Sequence, residues 1–315
     1  MAARLAIVLS GGGAKGAFQV GVLDALVNGH GVKPRIVVGT STGAIQALAV
    51  AQDDVAALVD TWLALKGNGD IYKKRDALAG AIFGANAIYD AKPLQKLLKA
   101  FYKPERIAAS GVELRLGVVS LQSGQFQTIG QNAGQLDRWV YASCAMPVFF
   151  DPLKTTDKQQ WVDGGVRDVT PLSAALKLDP SGVLVIRASP APRAPTPKGY
   201  SNFIEIGLRA VGILQSEVSL NDLENANLIN DALAARDRMF ATLQSEGLPA
   251  DKANAILKPL DTALARYHFA QNRVIEPAEE FCETLEFDPA KIRKAIDAGR
   301  AALEASWDSL QPILR

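Results

Sequence analysis

The chain has little of what marks a secreted, metal-binding or nucleic-acid-binding protein. Its 315 residues hold only two cysteines, Cys144 and Cys282, with no paired spacing, which argues against a disulfide framework and a thiolate metal site. Histidine is as scarce, with only His30 and His268. The formal charge is +1, so there is no electrostatic case for nucleic acid and no polybasic tail. No apolar run approaches the length of a membrane span. Residues 1–9 are too short for a signal peptide and run into a strand-like segment, so a cytoplasmic protein is expected. No calcium-binding loop is visible, and neither a metal nor a cofactor is expected. Hydrophobic content of 48% and charged content of 21% then describe an ordinary globular chain.

The most informative stretch that is present is Val37-Val38-Gly39-Thr40-Ser41-Thr42-Gly43-Ala44-Ile45. A β-branched run ends in Gly-Thr-Ser-Thr-Gly and passes into a helix-like segment. Gly39 and Gly43 flank Ser41 in the G-x-S-x-G spacing of a nucleophile elbow, where a Cβ at either glycine would crowd the strand-to-helix crossing. On the motif alone an ordinary strand–turn–helix fits equally well. Upstream, the apolar strand Arg4–Leu9 empties into Ser10-Gly11-Gly12-Gly13-Ala14-Lys15-Gly16 at a helix start, leaving backbone N–H groups bare. Gly11, Gly13 and Gly16 satisfy the dinucleotide fingerprint G-x-G-x-x-G. That fingerprint also wants an acidic ribose anchor at the end of the second strand, where Gly39 and Ser41 stand instead. The glycine loop therefore reads better as an oxyanion hole than as a pyrophosphate cradle.

Alternating strands and helices predict an α/β fold: a three-layer sandwich whose mostly parallel central sheet carries helices on both faces. One domain over 1–315 is expected, with a core of about 4–190 and a helical extension with a late strand over about 200–315. The Gly11–Gly13 loop, Ser41 and Asp163 each follow a predicted strand, which in a parallel sheet places all three at the carboxyl edge. A serine needs a base. His30 precedes the second strand, roughly 15 Å from Ser41 at strand rise. His268 completes the chain order Ser41, Asp163, His268 of an α/β-hydrolase triad, the alternative esterase or thioesterase reading, but it falls before a strand. Asp163 acting directly on Ser41 is the remaining arrangement.

Ser10–Gly16, Gly39–Gly43, Ala142-Ser143-Cys144-Ala145-Met146-Pro147 and Asp163-Gly164-Gly165 together resemble the four blocks of the patatin-like phospholipases, and Phe287-Asp288-Pro289 is similar to bacterial members. The resemblance implies a serine–aspartate hydrolase of lipid acyl esters, of phospholipase A or lysophospholipase type, with Ser41 as nucleophile and Asp163 as base. It implies an oxyanion hole in the backbone of Gly11, Gly12, Gly13, Ala14 and Thr42, supported by Gly39, Gly43, Gly164 and Gly165. Lys15 occupies a position that is usually basic in the family, with a solvated lysine at a helix start as the alternative. The Ala142–Pro147 block is expected to shape the site by packing. Expected partners are a lipid or acyl-ester substrate and, transiently, a membrane surface. For the acyl chain, the low-charge stretch Ala77–Tyr89, joined by Phe203, Ile206, Leu208, Ile213 and Leu214, is the expected channel or lid, with a buried helix as the alternative.

Overall fold

The computed structural model describes residues 4–75, 87–190, 199–265 and 271–314. The strands of its main sheet are β1 (Leu5–Leu9), β2 (Ile36–Thr40), β3 (Glu113–Ser120), β4 (Phe126–Gly130), β5 (Leu153–Lys154), β6 (Gln160–Asp163), β7 (Gly182–Ile186) and β8 (Gln271–Ile275). The principal helices are α1 (Ala17–Leu23), α2 (Thr42–Ala51), α3 (Val55–Leu63), α4 (Lys92–Phe101), α5 (Leu136–Cys144), α6 (Phe203–Ser245), α7 (Ala250–Leu264) and α8 (Pro289–Leu314).

Strands β8, β7, β1, β2 and β3 lie side by side in that order, all parallel. Alternation along these strands divides the core. Leu5, Ile7, Leu9, Val37, Leu184 and Ile186 point to one face, and Ala6, Val8, Ile36, Val38, Val183 and Val185 to the other. The first face is covered by α1 to α5 and α8. The second is covered by the short helix Leu172–Leu176 and by Leu223 and Ala226 of α6. Both faces are dry, as parallel strands require, because their connections return over the sheet. The architecture is the expected α/β sandwich. The C-terminal third is integral to it: β8 pairs with β7, and α8 buries Ile292, Ile296, Leu303 and Leu310 in the main core.

One expectation about the sheet needs correction. β6, which carries Asp163, is antiparallel to β3, so being last in its strand does not by itself put Asp163 at the carboxyl edge. The register explains how it arrives there. β4 occupies one edge of β3 along Arg115 to Val119, so β2 and β6 must share the other. β2 ends there with Thr40 opposite Gly117, and β6 ends with Asp163 opposite Val118. Two strands thus run toward each other on one edge of β3, and their last residues occupy adjacent rungs.

The glycines of the closest helix crossing set a second constraint. A Cβ at Gly21 of α1 would lie 1.9 Å from the Ile296 carbonyl oxygen, and one at Gly299 of α8 would lie 2.1 Å from that of Phe18. Backbone cannot retreat as a side-chain tip can, so Gly299→Ala should destabilise by about 1–3 kcal/mol or more. Thermal unfolding should show a Tm several degrees lower. Gly69→Ala, whose Cβ meets nothing within 4 Å, should leave it unchanged. Equal Tm values for the two variants would refute the close crossing.

Candidate active site

Ser41 is the first residue after β2 and caps α2. Its φ of 57° with ψ of −128° is a conformation that non-glycine residues rarely adopt, the strained turn of a nucleophile elbow. The flanking glycines have the steric role read from the sequence. A Cβ at Gly39 would lie 2.1 Å from the Gly43 carbonyl oxygen, and one at Gly43 would lie 2.3 Å from that of Leu9.

What holds the elbow is a residue that sequence reasoning treated as packing. Ser143, fully buried in α5, accepts the Ser41 N–H on its Oγ at 2.9 Å and donates its own proton to the Gly117 carbonyl at 2.6 Å. The neighbouring Cys144 Sγ lies 3.2 Å from the Ser41 carbonyl oxygen. The Asp163 N–H donates to the Ala145 carbonyl at 3.0 Å. The Ala142–Pro147 block therefore ties both strand ends to one helix terminus. Its only sequence signal was its place among the four blocks.

Asp163 is 3% exposed. Its Oδ1 accepts the Gly165 N–H at 2.7 Å. Burial pushes its carboxyl up to about 7, against the downward pull of hydrogen bonds from the Gly165 N–H and the Ser41 hydroxyl. Desolvation outweighs both bonds because the charged form has lost its water. His30 lies elsewhere: its ring stacks on Trp307 of α8 at 3.6 Å and bonds Glu304 at 3.0 Å. His268 lies outside the described residues.

The glycine loop faces Ser41 across the switch from β1 to β2. Two of the five N–H groups expected to bind an oxyanion are already committed. Gly11 donates to the Val169 carbonyl and Ala14 to that of Thr284, each at 2.9 Å. Gly12 and Gly13 donate to no backbone acceptor among the described residues, and with Thr42 they line the cavity in front of Ser41. The Thr42 N–H opens α2, where helical N–H groups lack an intrahelical partner. Gly13 adopts φ 60°, and a Cβ there would lie 2.0 Å from the Thr284 carbonyl oxygen. Gln19, fully buried, fixes the loop's base by donating to the carbonyls of Ser10 and Ile186 at 3.0 and 2.8 Å. Gln46 links the loop to α2, donating to the Gly16 carbonyl at 3.1 Å. Lys15 is not a solvated lysine. It is 3% exposed, and its Nζ meets Glu280 at 2.7 Å, tying the loop to the segment that carries Thr284.

From Ser41 and Asp163 an apolar cavity of about 880 Å³, its open mouth included, runs between α2, α3 and α4. Ile45, Leu58, Trp62, Leu94, Phe101 and Phe150 are among its lining residues, and Leu285 and Phe287 close it from the C-terminal segment. The expected acyl channel or lid compares with this cavity only in part. Residues 77–86 of the stretch Ala77–Tyr89 lie outside the described residues, and Tyr89 packs against Tyr72 and Phe149. Phe203, Ile206, Leu208, Ile213 and Leu214 do not line the cavity, and α6 contributes Gln215.

Among the described residues no group of acidic, cysteine or histidine side chains could hold a metal ion, and no helix is long and apolar enough to cross a membrane. A family model described as patatin-like phospholipase matches residues 7–176, just over half of the chain and all four blocks up to Gly165. Among solved structures, the crystal structure of VipD from Legionella pneumophila superposes with a TM-score of 0.49 at 16% identity, over 98% of this chain and 67% of that one. No curated protein matches the chain.

The Asp163 carboxyl gives a stability prediction independent of any substrate. Its folded value of about 7 lies above the value of roughly 4 for an unfolded chain. The folded state therefore holds the proton that the unfolded state releases between those values. Stability falls as pH rises through that window, and the full cost of the buried charge is present above it. Asp163→Asn, which keeps an acceptor for the Gly165 N–H, should raise Tm at pH above 7 and gain little at about pH 4. The same gain at both pH values would mean that charge burial is not its source.

Proposed function

The chain belongs to the patatin-like phospholipase family, and from that premise we propose that it hydrolyses acyl esters of lipids through Ser41 and Asp163. The observation that carries this reading is the meeting of β2 and β6 on one edge of β3. It sets Asp163 on the rung next to that of Thr40, the residue before the strained Ser41, at the head of an apolar cavity. Family membership supports a lipid acyl hydrolase; the roles of individual residues are our own reading.

In this mechanism the acyl chain lies in the cavity and its carbonyl carbon faces Ser41 Oγ. Asp163, as carboxylate, takes the hydroxyl proton as Oγ attacks, and the carbonyl π pair moves onto oxygen. The N–H groups of Gly12, Gly13 and Thr42 face that developing charge in a low-dielectric pocket, where such donors act most strongly. Collapse expels the alcohol, which takes the proton from Asp163. Water then attacks the acyl-enzyme with Asp163 again as base, releasing the fatty acid and restoring Ser41. A carboxyl held near 7 suits both directions of transfer, since an ordinary aspartate would be a poor acid for the leaving alkoxide.

A fluorophosphonate probe should label wild type at Ser41, and Ser41→Ala should lose labelling and turnover together. The dependence of kcat/KM on pH should rise through about 7 to a plateau, as the protonated fraction of Asp163 disappears. Replacing His30 and His268 together by glutamine should leave most activity, and Asp163→Asn should remove nearly all of it. Loss in the histidine variant with survival of Asp163→Asn would instead support the triad reading through His268.

A further inference from the structure

The acyl cavity has an outer side. Thr61, Leu65 and Leu97 line it and also line a surface groove beside α3 and α4, so the wall between cavity and groove is one side chain thick. The charged groups around that groove are Lys66, Lys73, Lys92 and Lys96, against Asp70 and Asp90. All four lysines are exposed. Lys92 stands 3.7 Å from Asp90, and the Asp70 carboxylate accepts the backbone N–H of Lys66 at 2.6 Å. No ion pair within 4.0 Å occupies the ammonium groups of Lys66, Lys73 or Lys96 among the described residues. α4 is itself a basic amphipathic helix without a single acidic residue. Leu94 and Leu98 are buried, Leu97 lines the cavity, and Lys92, Lys96 and Lys99 face water. In a chain whose formal charge is only +1, this excess of positive charge is local.

We propose that this lysine-rimmed groove is where an anionic lipid membrane docks, with the wall of the acyl cavity held against the bilayer. Lysine stems lie along apolar surface while their ammonium groups reach a plane of phosphates. A helix with leucines inward and lysines outward lies at such an interface. The lysines are spread over the segment after α3 and over α4, with no convergent cradle, so the groove reads surface charge and not one headgroup. An acidic protein partner would account for the lysines but not for an apolar cavity one side chain behind them. The inference rests on the acyl-hydrolase reading for its purpose, but vesicle binding requires no turnover and can be measured separately.

The test is co-sedimentation of the full chain with vesicles of phosphatidylcholine alone or mixed with phosphatidylglycerol, beside the triple variant Lys66→Glu, Lys92→Glu, Lys96→Glu. All three positions are exposed, and circular dichroism checks that the fold is kept. Wild type should pellet with the anionic vesicles only and be released by high salt. The triple variant should bind them about two orders of magnitude more weakly. It should lose hydrolysis of vesicle lipid while cleaving p-nitrophenyl butyrate in solution as wild type does. Binding indifferent to lipid charge, equal binding by the variant, or no binding by wild type would overturn the proposal. So would a stable dimer that the triple variant dissociates, which would give the groove to a second copy. Absence of fluorophosphonate labelling at Ser41 would overturn the hydrolase reading, and the sedimentation would still decide the docking.

Discussion

The site depends on one edge of β3. β2 and β6 approach along it from opposite directions and stop at Gly117 and Val118, leaving no further rung for either. A Cβ at Gly117 would lie 2.6 Å from Thr40 Oγ1, and one at Gly164 would lie 2.6 Å from the Gly117 carbonyl oxygen. That carbonyl also accepts the Ser143 hydroxyl, whose oxygen in turn holds the Ser41 N–H. A single rung of the ladder therefore sets the elbow, the start of the Asp163 turn and the helix terminus that braces them. Close-packed backbone transmits displacement with little slack.

The electrostatics follow from that placement. A carboxylate at a sheet edge facing solvent would keep its ordinary affinity for protons. Enclosed between β3, α5 and the cavity, Asp163 holds its proton up to about 7, and this costs stability at higher pH. Such local cost is common where chemistry is done. The glycine loop pays no comparable cost. Its strained or crowded positions are glycines, Gly12 and Gly13 line the cavity, and the N–H groups of Gly11 and Ala14 are bonded to Val169 and Thr284.

The C-terminal segment closes the arrangement from outside the region that the family model covers. Thr284 receives the Ala14 N–H, Glu280 pairs with Lys15, and Tyr72 donates its hydroxyl to the Leu285 carbonyl at 2.7 Å. The same segment supplies Leu285 and Phe287 to the cavity wall. The geometry of the glycine loop and part of the cavity wall are consequently set by one stretch, which also reaches the segment after α3 through the Phe287 N–H, donated to the Asn68 side chain at 2.7 Å.

Much of this was determined by the sequence itself. Apolar runs read as parallel strands because both faces of such strands are covered, and Gly39 and Gly43 read as an elbow because sterics allow nothing larger beside that turn. The scarcity of histidine pointed to Asp163. Only the tertiary structure decided the direction of β6, since a four-residue strand shows its burial in sequence but not its partner's orientation. The use of the Gly11 and Ala14 N–H groups depends on Val169 and Thr284, remote in the chain. The leucines and phenylalanines of α3 and α4 carry the helical period of a packed core whether they meet other side chains or enclose a cavity. Periodicity records which face turns inward, and only packing decides whether the space there is filled.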